Sequence, residues 1–274
     1  MAIDRLDALL RHFSVSARMF HAGALCGLND FVPEPDVGQL HLIRRGRVEV
    51  THHGAADVTV EQPSLLFYPR PMAHRFDTDP DTGADMACAH VRFDSGRGSP
   101  LAAALPAVVC LPLMALDDTM TLLDALFDEA FGARCGRQAV VDRLFEVVLI
   151  RILRQLMSNA QVEEGLLAGL ADPRLARALV ALHERPGEAW PLASMAQQAG
   201  LSRSAFAARF RQVLGVTPAH YLARWRIALA QQALRDGRPL KVSAADVGYG
   251  SASALSRAFA EICGRSPREW LQVR

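Results

Sequence analysis

No stretch of the chain approaches the ~18 consecutive apolar residues that would suggest a membrane span. Cysteines are few and do not pair up on paper. The five, Cys26, Cys88, Cys110, Cys135 and Cys263, are odd in number and irregularly spaced. That pattern argues against a disulfide framework and for reduced thiols in a cytoplasmic protein. The opening MAIDRLDALLRHF carries charges throughout and is not followed by a small-residue cleavage site, so it does not read as an export signal. It reads as a short amphipathic helix with Leu6, Leu9, Leu10 and Phe13 on one face. The chain also has no nucleotide-binding glycine loop and no convincing Ser/His/Asp set, which leaves little for catalysis.

Charge of either sign is nearly balanced over the 274 residues, at +1. The balance is not uniform. Residues 173–274 hold 15 Lys and Arg against 6 Asp and Glu, which leaves 15 against 23 for residues 1–172. One half suits a polyanion and the other does not.

The first 112 residues read as β-rich. Apolar runs at 40–43, 48–50, 58–60, 65–68 and 86–93 alternate with Gly, Pro and Asp clusters, the rhythm of a small sandwich or barrel. Residues 117–132 and 137–158 then show helical periodicity. The second stretch carries Val140, Val141, Leu144, Val147, Val148, Ile152, Leu153 and Leu156, a stripe wider than one packing partner needs. A subunit interface is expected on residues 113–158, giving a homodimer. Residues 159–172 read as a linker that ends with Asp172 as N-cap and Pro173 opening the next helix.

From Pro173 onward the chain is helical and repeats itself at an offset of 49 residues. Ser202 matches Ser251, Ser204 matches Ser253, Phe210 matches Phe259, Gly215 matches Gly264 and Pro218 matches Pro267. Two copies are too few for a solenoid. A duplicated helix-turn-helix fits, with Gly200 supplying one tight turn. In the second copy the matching stretch runs Ser243–Gly248, with Tyr249-Gly250 continuing into the next helix. Phe206, Phe210, Val213 and Leu214 form the inward stripe of the first reading helix. Ser204, Ala208, Arg211 and Gln212 form its outward face. In the second copy Leu255, Phe259, Ile262 and Cys263 point inward. Ser253, Arg257, Ala260 and Glu261 point outward, with Ser251 and Ser256 near the helix start. Arg on such a face can donate two hydrogen bonds to guanine in double-stranded DNA. Arg203, Arg209, Arg224 and Arg226 are placed for phosphates. Pro218–Arg235 reads as one continuous helix joining the copies.

These residues resemble the AraC family of bacterial transcription regulators over about 173–274. The motifs are A-x-x-A-G-L-S-x-S-x-F-x-x-x-F and G-V-T-P-x-x-Y-L in the first copy. The second has D-V-G-Y-G-S-x-S-x-L-S-R-A-F and G-x-S-P-x-x-W-L. The resemblance implies an α+β protein of two domains. An N-terminal cupin-like β-barrel with a helical dimerisation segment precedes an all-α domain with two helix-turn-helix units. It implies DNA, a small effector and, for an activator, RNA polymerase as partners. Its reading positions fall on Ser204, Ala207 and Ala208, and on Ser253 and Arg257. Ala208 stands where many family members carry Arg, so base reading is expected to rest more on the second unit. The segments F-H-A-G-A-L-C-G, L-H-L-I-R-R-G and P-R-P-M-A-H-R-F resemble the cupin-type sensor half, without the H-x-H pair of metal-dependent cupin enzymes.

Cys88 and His90 are two apart on one strand and share a face. With Cys26, His41 and His74 they are candidates for a zinc-like divalent metal site. Cys26 and Cys88 alone are candidates for an oxidant or effector sensor. The third reading makes them ordinary core residues. His52-His53 reads as a solvated loop. A metal-dependent cupin enzyme with an attached helical domain, and a sequence-independent DNA-packaging protein, are the competing functions.

Overall fold

The computed structural model describes residues 3–94, 99–116, 119–158 and 164–272. In chain order the α-helices are α1 (Asp7–His12), α2 (Pro100–Ala104), α3 (Met120–Phe131), α4 (Arg137–Ser158), α5 (Leu166–Ala171), α6 (Pro173–Glu184), α7 (Leu192–Ala199), α8 (Arg203–Leu214), α9 (Pro218–Arg235), α10 (Leu240–Asp246), α11 (Ala252–Cys263) and α12 (Pro267–Gln272). The strands are β1 (Val15–Leu25), β2 (Leu28–Phe31), β3 (Val37–Arg45), β4 (Val48–His52), β5 (Val58–Val60), β6 (Ser64–Tyr68), β7 (His74–Thr78), β8 (Ala84–Phe93) and β9 (Val109–Pro112).

Two compact units result. The described residues within 15–97 and 105–159 make the first, a pair of antiparallel sheets with strand orders β1-β8-β3-β6-β9 and β2-β7-β4-β5. Val37–Ile43 are buried without interruption because β3 lies inside the larger sheet and is covered on both faces. Ile43, Val48, Val50, Leu66, Tyr68, Phe76, Met86 and Cys88 fill the space between the sheets. On the other face of β3, the Arg44 guanidinium lies over the rings of Phe127 and Phe131 of α3. Of the periodic stretch 117–132, residues 117 and 118 lie outside the described residues.

β1 ends its sheet, and its backbone would present an open row of donors and acceptors. Helix α4 covers that edge with polar side chains. Asp142 Oδ1 accepts from Met19 N at 2.7 Å, Glu146 Oε1 from Ala17 N at 3.4 Å, and Gln138 Nε2 donates to Met19 O at 3.0 Å. These three side chains sit at i, i+4 and i+8, one line along a helix.

The described residues within 1–14, 98–104 and 160–274 make the second unit. Of the stretch read as a linker, residues 159–163 lie outside the described residues, and 166–171 are instead helix α5, whose Leu166, Leu167 and Leu170 are buried. Their apolar run is too short to show periodicity, so only tertiary packing makes it a helix. The N-terminal helix also belongs here. Leu9 and Phe13 are wholly buried, and Arg5 Nη1 donates to the Leu170 and Ala171 carbonyls at 3.2 and 3.3 Å. Phe13 meets Trp225 edge-on, with centroids 5.0 Å apart, and His183 stacks on the same indole at 3.9 Å.

Candidate nucleic-acid interface and sensor interior

Each reading helix is set by local chemistry. In the first copy α7 ends at Gly200, in the left-handed conformation that glycine adopts without strain. Ser202 then caps α8, accepting from Ala205 N at 3.3 Å. Phe206, Phe210 and Leu214 are buried, and Arg203, Ser204, Ala208, Arg211 and Gln212 are exposed. Thr217 caps α9 through His220 N at 3.3 Å, and Pro218 takes its first position. In the second copy Ser251 caps α11 through Ala254 N at 3.1 Å. Leu255 and Phe259 are buried, Ser253 and Arg257 are exposed, and Ser256, Ile262 and Cys263 are half-buried. Tyr249 and Gly250 precede this cap and form the turn rather than extending the helix. Ser266 and Glu269 close α12 reciprocally, as a capping box does.

The two copies are locked together by backbone. Arg226 of α9 donates to the Pro186 carbonyl at 2.8 Å and the Glu188 carbonyl at 2.7 Å. Its guanidinium also faces the Tyr249 ring. Gly248, at φ +82°, sits so near this junction that a Cβ there would lie 2.6 Å from Gly187 O. Arg226 is therefore a structural tie and is not free for phosphate. Arg209 is likewise engaged, its Nε and Nη2 both 2.6 Å from Oδ2 of Asp172. Burial raises the pKa of Asp172, but the N–H groups of Leu175 and Arg174 and the Arg209 guanidinium outweigh it and hold the carboxyl below its ordinary value. Arg203, Arg211, Arg224 and Arg257 form no ion pair among the described residues.

Between the sheets of the first unit lies a cluster of rings. His74 is sandwiched by Tyr68 at 4.0 Å and Phe31 at 4.9 Å, each 12° from parallel. Its Nδ1 donates to Met72 O at 3.0 Å, so its Nε2 must accept, and the donor is Nε2 of His41 at 3.1 Å. The Nδ1 of His41 is then a bare lone pair, buried and without a partner. His52 follows the same logic, donating from Nδ1 to Ala56 O at 2.7 Å and accepting at Nε2 from the Tyr68 hydroxyl at 2.8 Å. Burial holds His41 well below its ordinary pKa, helped by the imidazoles of His74, His90 and His21. Burial takes His74 down to about 4.

Residues 4–158 match the family model described as Cupin, and residues 195–272 the model described as Helix-turn-helix domain. A Streptomyces lividans protein named as an AraC-like transcription regulator is 31% identical over 264 residues, covering 86% of this chain and 87% of that one. The chain belongs to the AraC-like family of transcription regulators. A Streptomyces antibioticus protein of the same designation is 43% identical over 150 residues, or 54% of this chain and 50% of the length of that protein. ToxT from Vibrio cholerae matches over 96% of this chain and 98% of its own, at 10% identity and a TM-score of 0.40.

In this regulator His41, His74 and Cys88 come together, His41 facing Cys88 in the β3–β8 ladder and bonded to His74, whereas Cys26 lies apart. Among the described residues no group of three or more His, Cys, Asp or Glu is arranged to hold a metal ion. His41 and His74 are spent on each other, and His90 lies against Phe20 at 4.4 Å. Cys88 is buried, and burial pushes its thiol well above the ordinary range, the opposite of a reactive thiolate. Cys88 opposes His21 in the β1–β8 ladder, whereas Cys26 is exposed beyond the end of β1. Five residues along a strand separate the two levels by roughly 16 Å, against the ~7 Å Cα limit of a disulfide. His52 is a second departure, since it ends β4 buried against Tyr68 and is not a solvated loop. Nothing in the sequence nominates Phe20, Phe31 and Tyr68 as members of the cluster. Alternation can place them on strands, but only pairing register shows which rings converge.

Buried neutral imidazoles give the regulator an acid limit. His74 is depressed in the folded state, so its contribution is present above the unfolded value near 6.5 and is lost as pH falls from there towards 4. At pH 5 the loss at His74 alone is about 2 kcal/mol. The urea midpoint should therefore fall between pH 7 and pH 5 by at least that equivalent, and by less in His74→Phe. Equal midpoints at both pH values would mean that the ring is solvated.

Proposed function

We propose that the regulator works in the cytoplasm as a homodimer without enzymatic activity. It recognises an operator through both helix-turn-helix units, responds to a small effector through its cupin-like unit and contacts RNA polymerase where it activates. The observation that carries the DNA reading is the pair of capped helices, α8 and α11, each buried on one face. Their opposite faces carry small residues with the unpaired cations Arg211 and Arg257. Small side chains allow close approach to a major groove, and a free guanidinium can bind guanine at two points. Arg203 and Arg224, also unpaired, suit phosphates that set register. Helix α9 spans its 18 residues in about 27 Å. Such a rigid strut suits reading helices that enter successive major-groove turns, about 34 Å apart.

The dimer reading is supported by α4. Val141, Phe145, Val148, Leu149, Ile152, Leu153 and Leu156 are buried within the chain, while Val140 and Val147 stay 45% and 41% exposed. Val140, Leu144 and Val147 share one line at i, i+4 and i+7, and a second copy of the same helix would cover it.

Because Ala208 has no reach, Arg257 carries the strongest discrimination. On operators enriched from random duplexes, Arg257→Ala should lose about 1–3 kcal/mol of binding, with preference relaxed at one base pair. Competition across single-base operator variants measures both. A variant that discriminates as well as the parent would remove Arg257 from base reading, and uniform binding to all duplexes would favour packaging.

A further inference from the structure

The geometry points to a binding site for an elongated organic dianion in the cleft between the β1 edge and the N-terminal half of α4. Two cavities of about 650 and 620 Å³ adjoin there, sharing Met19, Phe20 and Ala139. Sites of this size hold small organic ligands. Cations flank the shared apolar middle on both sides. Arg18, Arg92 and Arg143 line one cavity, and Arg134 and Arg137 line the other.

Among the described residues, the only carboxylates on these walls are Asp142 and Glu146. Both already accept hydrogen bonds, and Glu146 alone is paired with a cation. Asp142 accepts from Met19 N and from Gln138 Nε2, and Glu146 accepts from Ala17 N and from Arg143. Arg134 is paired with Glu129 at 2.9 Å, and Arg92 lies a loose 3.9 Å from Glu34. Arg18 has no ion pair among the described residues, and the Nε of Arg137 is buried without any hydrogen-bond partner. A buried donor left unsatisfied is unfavourable, and a ligand carboxylate would satisfy it. In the middle Phe20 is 40% exposed, its ring lying on His90.

Spacing sets the length of the guest. From Arg18 to His21 along the strand, and from Arg137 to Arg143 along the helix, is about 9–10 Å. An extended eight-carbon chain with a carboxylate at each end spans that distance. A ligand held this way bridges β1 to α4 in parallel with the three polar side-chain contacts that already join them. The site gives a chemistry to the small-effector reading of this unit and rests on it. Binding itself does not depend on DNA recognition, so the two can fail separately.

The test is titration calorimetry of the full chain with octanedioate, octanoate and inorganic phosphate. Octanedioate should bind one per chain, at least about tenfold tighter than octanoate or phosphate, because each end gains a charge-assisted contact. Arg18→Gln and Arg137→Gln should each weaken it about tenfold while leaving the ligand-free thermal midpoint and operator affinity unchanged. Ala139→Glu, a like charge in the shared middle, should abolish it. Absence of octanedioate binding, octanoate binding equally well, or binding untouched in all three variants would overturn the assignment.

Discussion

Gly248→Ala should cost the regulator its operator, with affinity falling by at least about a hundredfold towards the non-specific level. The position has two independent demands. At φ +82° an L side chain is strained by roughly 1–2 kcal/mol. A Cβ would also lie 2.6 Å from the Gly187 carbonyl and 2.8 Å from Nη2 of Arg226. The first of these is backbone and cannot step aside. The second belongs to the guanidinium that ties α9 to the Pro186 and Glu188 carbonyls. The substitution thus pushes the α10–α11 turn away from the segment that holds it against the first copy. Each helix-turn-helix can still fold, since α11 keeps its Ser251 cap and its buried Phe259. What is lost is their common register, and a second reading helix that no longer meets its groove adds nothing to affinity. Gly250→Ala is the control, because no atom lies within 4 Å of a Cβ there. Fluorescence anisotropy on an enriched operator decides between them. If both variants bind like the parent, the junction does not set the spacing.

Phe13→Ala should destabilise the DNA-binding unit by about 3–5 kcal/mol, the usual cost of emptying a buried aromatic site. Phe13 is fully buried and stands edge-on to Trp225, whose other neighbour is the stacked His183. The three tryptophans of the chain, Trp190, Trp225 and Trp270, all lie in this unit. Intrinsic tryptophan fluorescence therefore follows its unfolding and not that of the β-rich unit. The urea transition seen by fluorescence should move to lower denaturant in Phe13→Ala. It should stay in place in Phe131→Ala, where the ring is on the other unit and partly exposed. A fluorescence transition indifferent to Phe13 would mean that the helices of this unit hold their core without the N-terminal one.

Sequence reading reaches its limit where interactions become long-range. Helices α4 and α9 match their expected spans, and α7 stops at the expected Gly200, because 3.6-residue periodicity, capping hydroxyls, N-terminal proline and left-handed glycine act within a few residues. The duplicated helix-turn-helix is legible for the same reason: each copy spells its own turn. Strands β3, β4, β5, β6 and β8 coincide with the expected apolar runs, whereas β1, β2, β7 and β9 do not. β1 is an edge strand with exposed Ser16, Arg18 and Phe20 alternating with buried residues, so it lacks the continuous apolar run of β3.

Side-chain partners leave no trace in the sequence. Arg209 and Arg257 look alike as outward arginines on basic helices, yet one is held by Asp172, 37 residues earlier, and the other is free. Arg226 has the setting of a phosphate contact and is a brace. His41 and His74 have the makings of metal ligands and are a hydrogen-bonded pair. The change from a β-rich to a helical half, the basic half, the two reading helices and their family all follow from the chain read residue by residue. Packing in space is what assigns α1 and α5 to the DNA-binding unit, leaves some arginines free and others tied, and brings particular rings together between the sheets. The division is physical: hydrogen bonds within a turn depend on neighbours in the chain, whereas register, burial and ion pairing depend on neighbours in space.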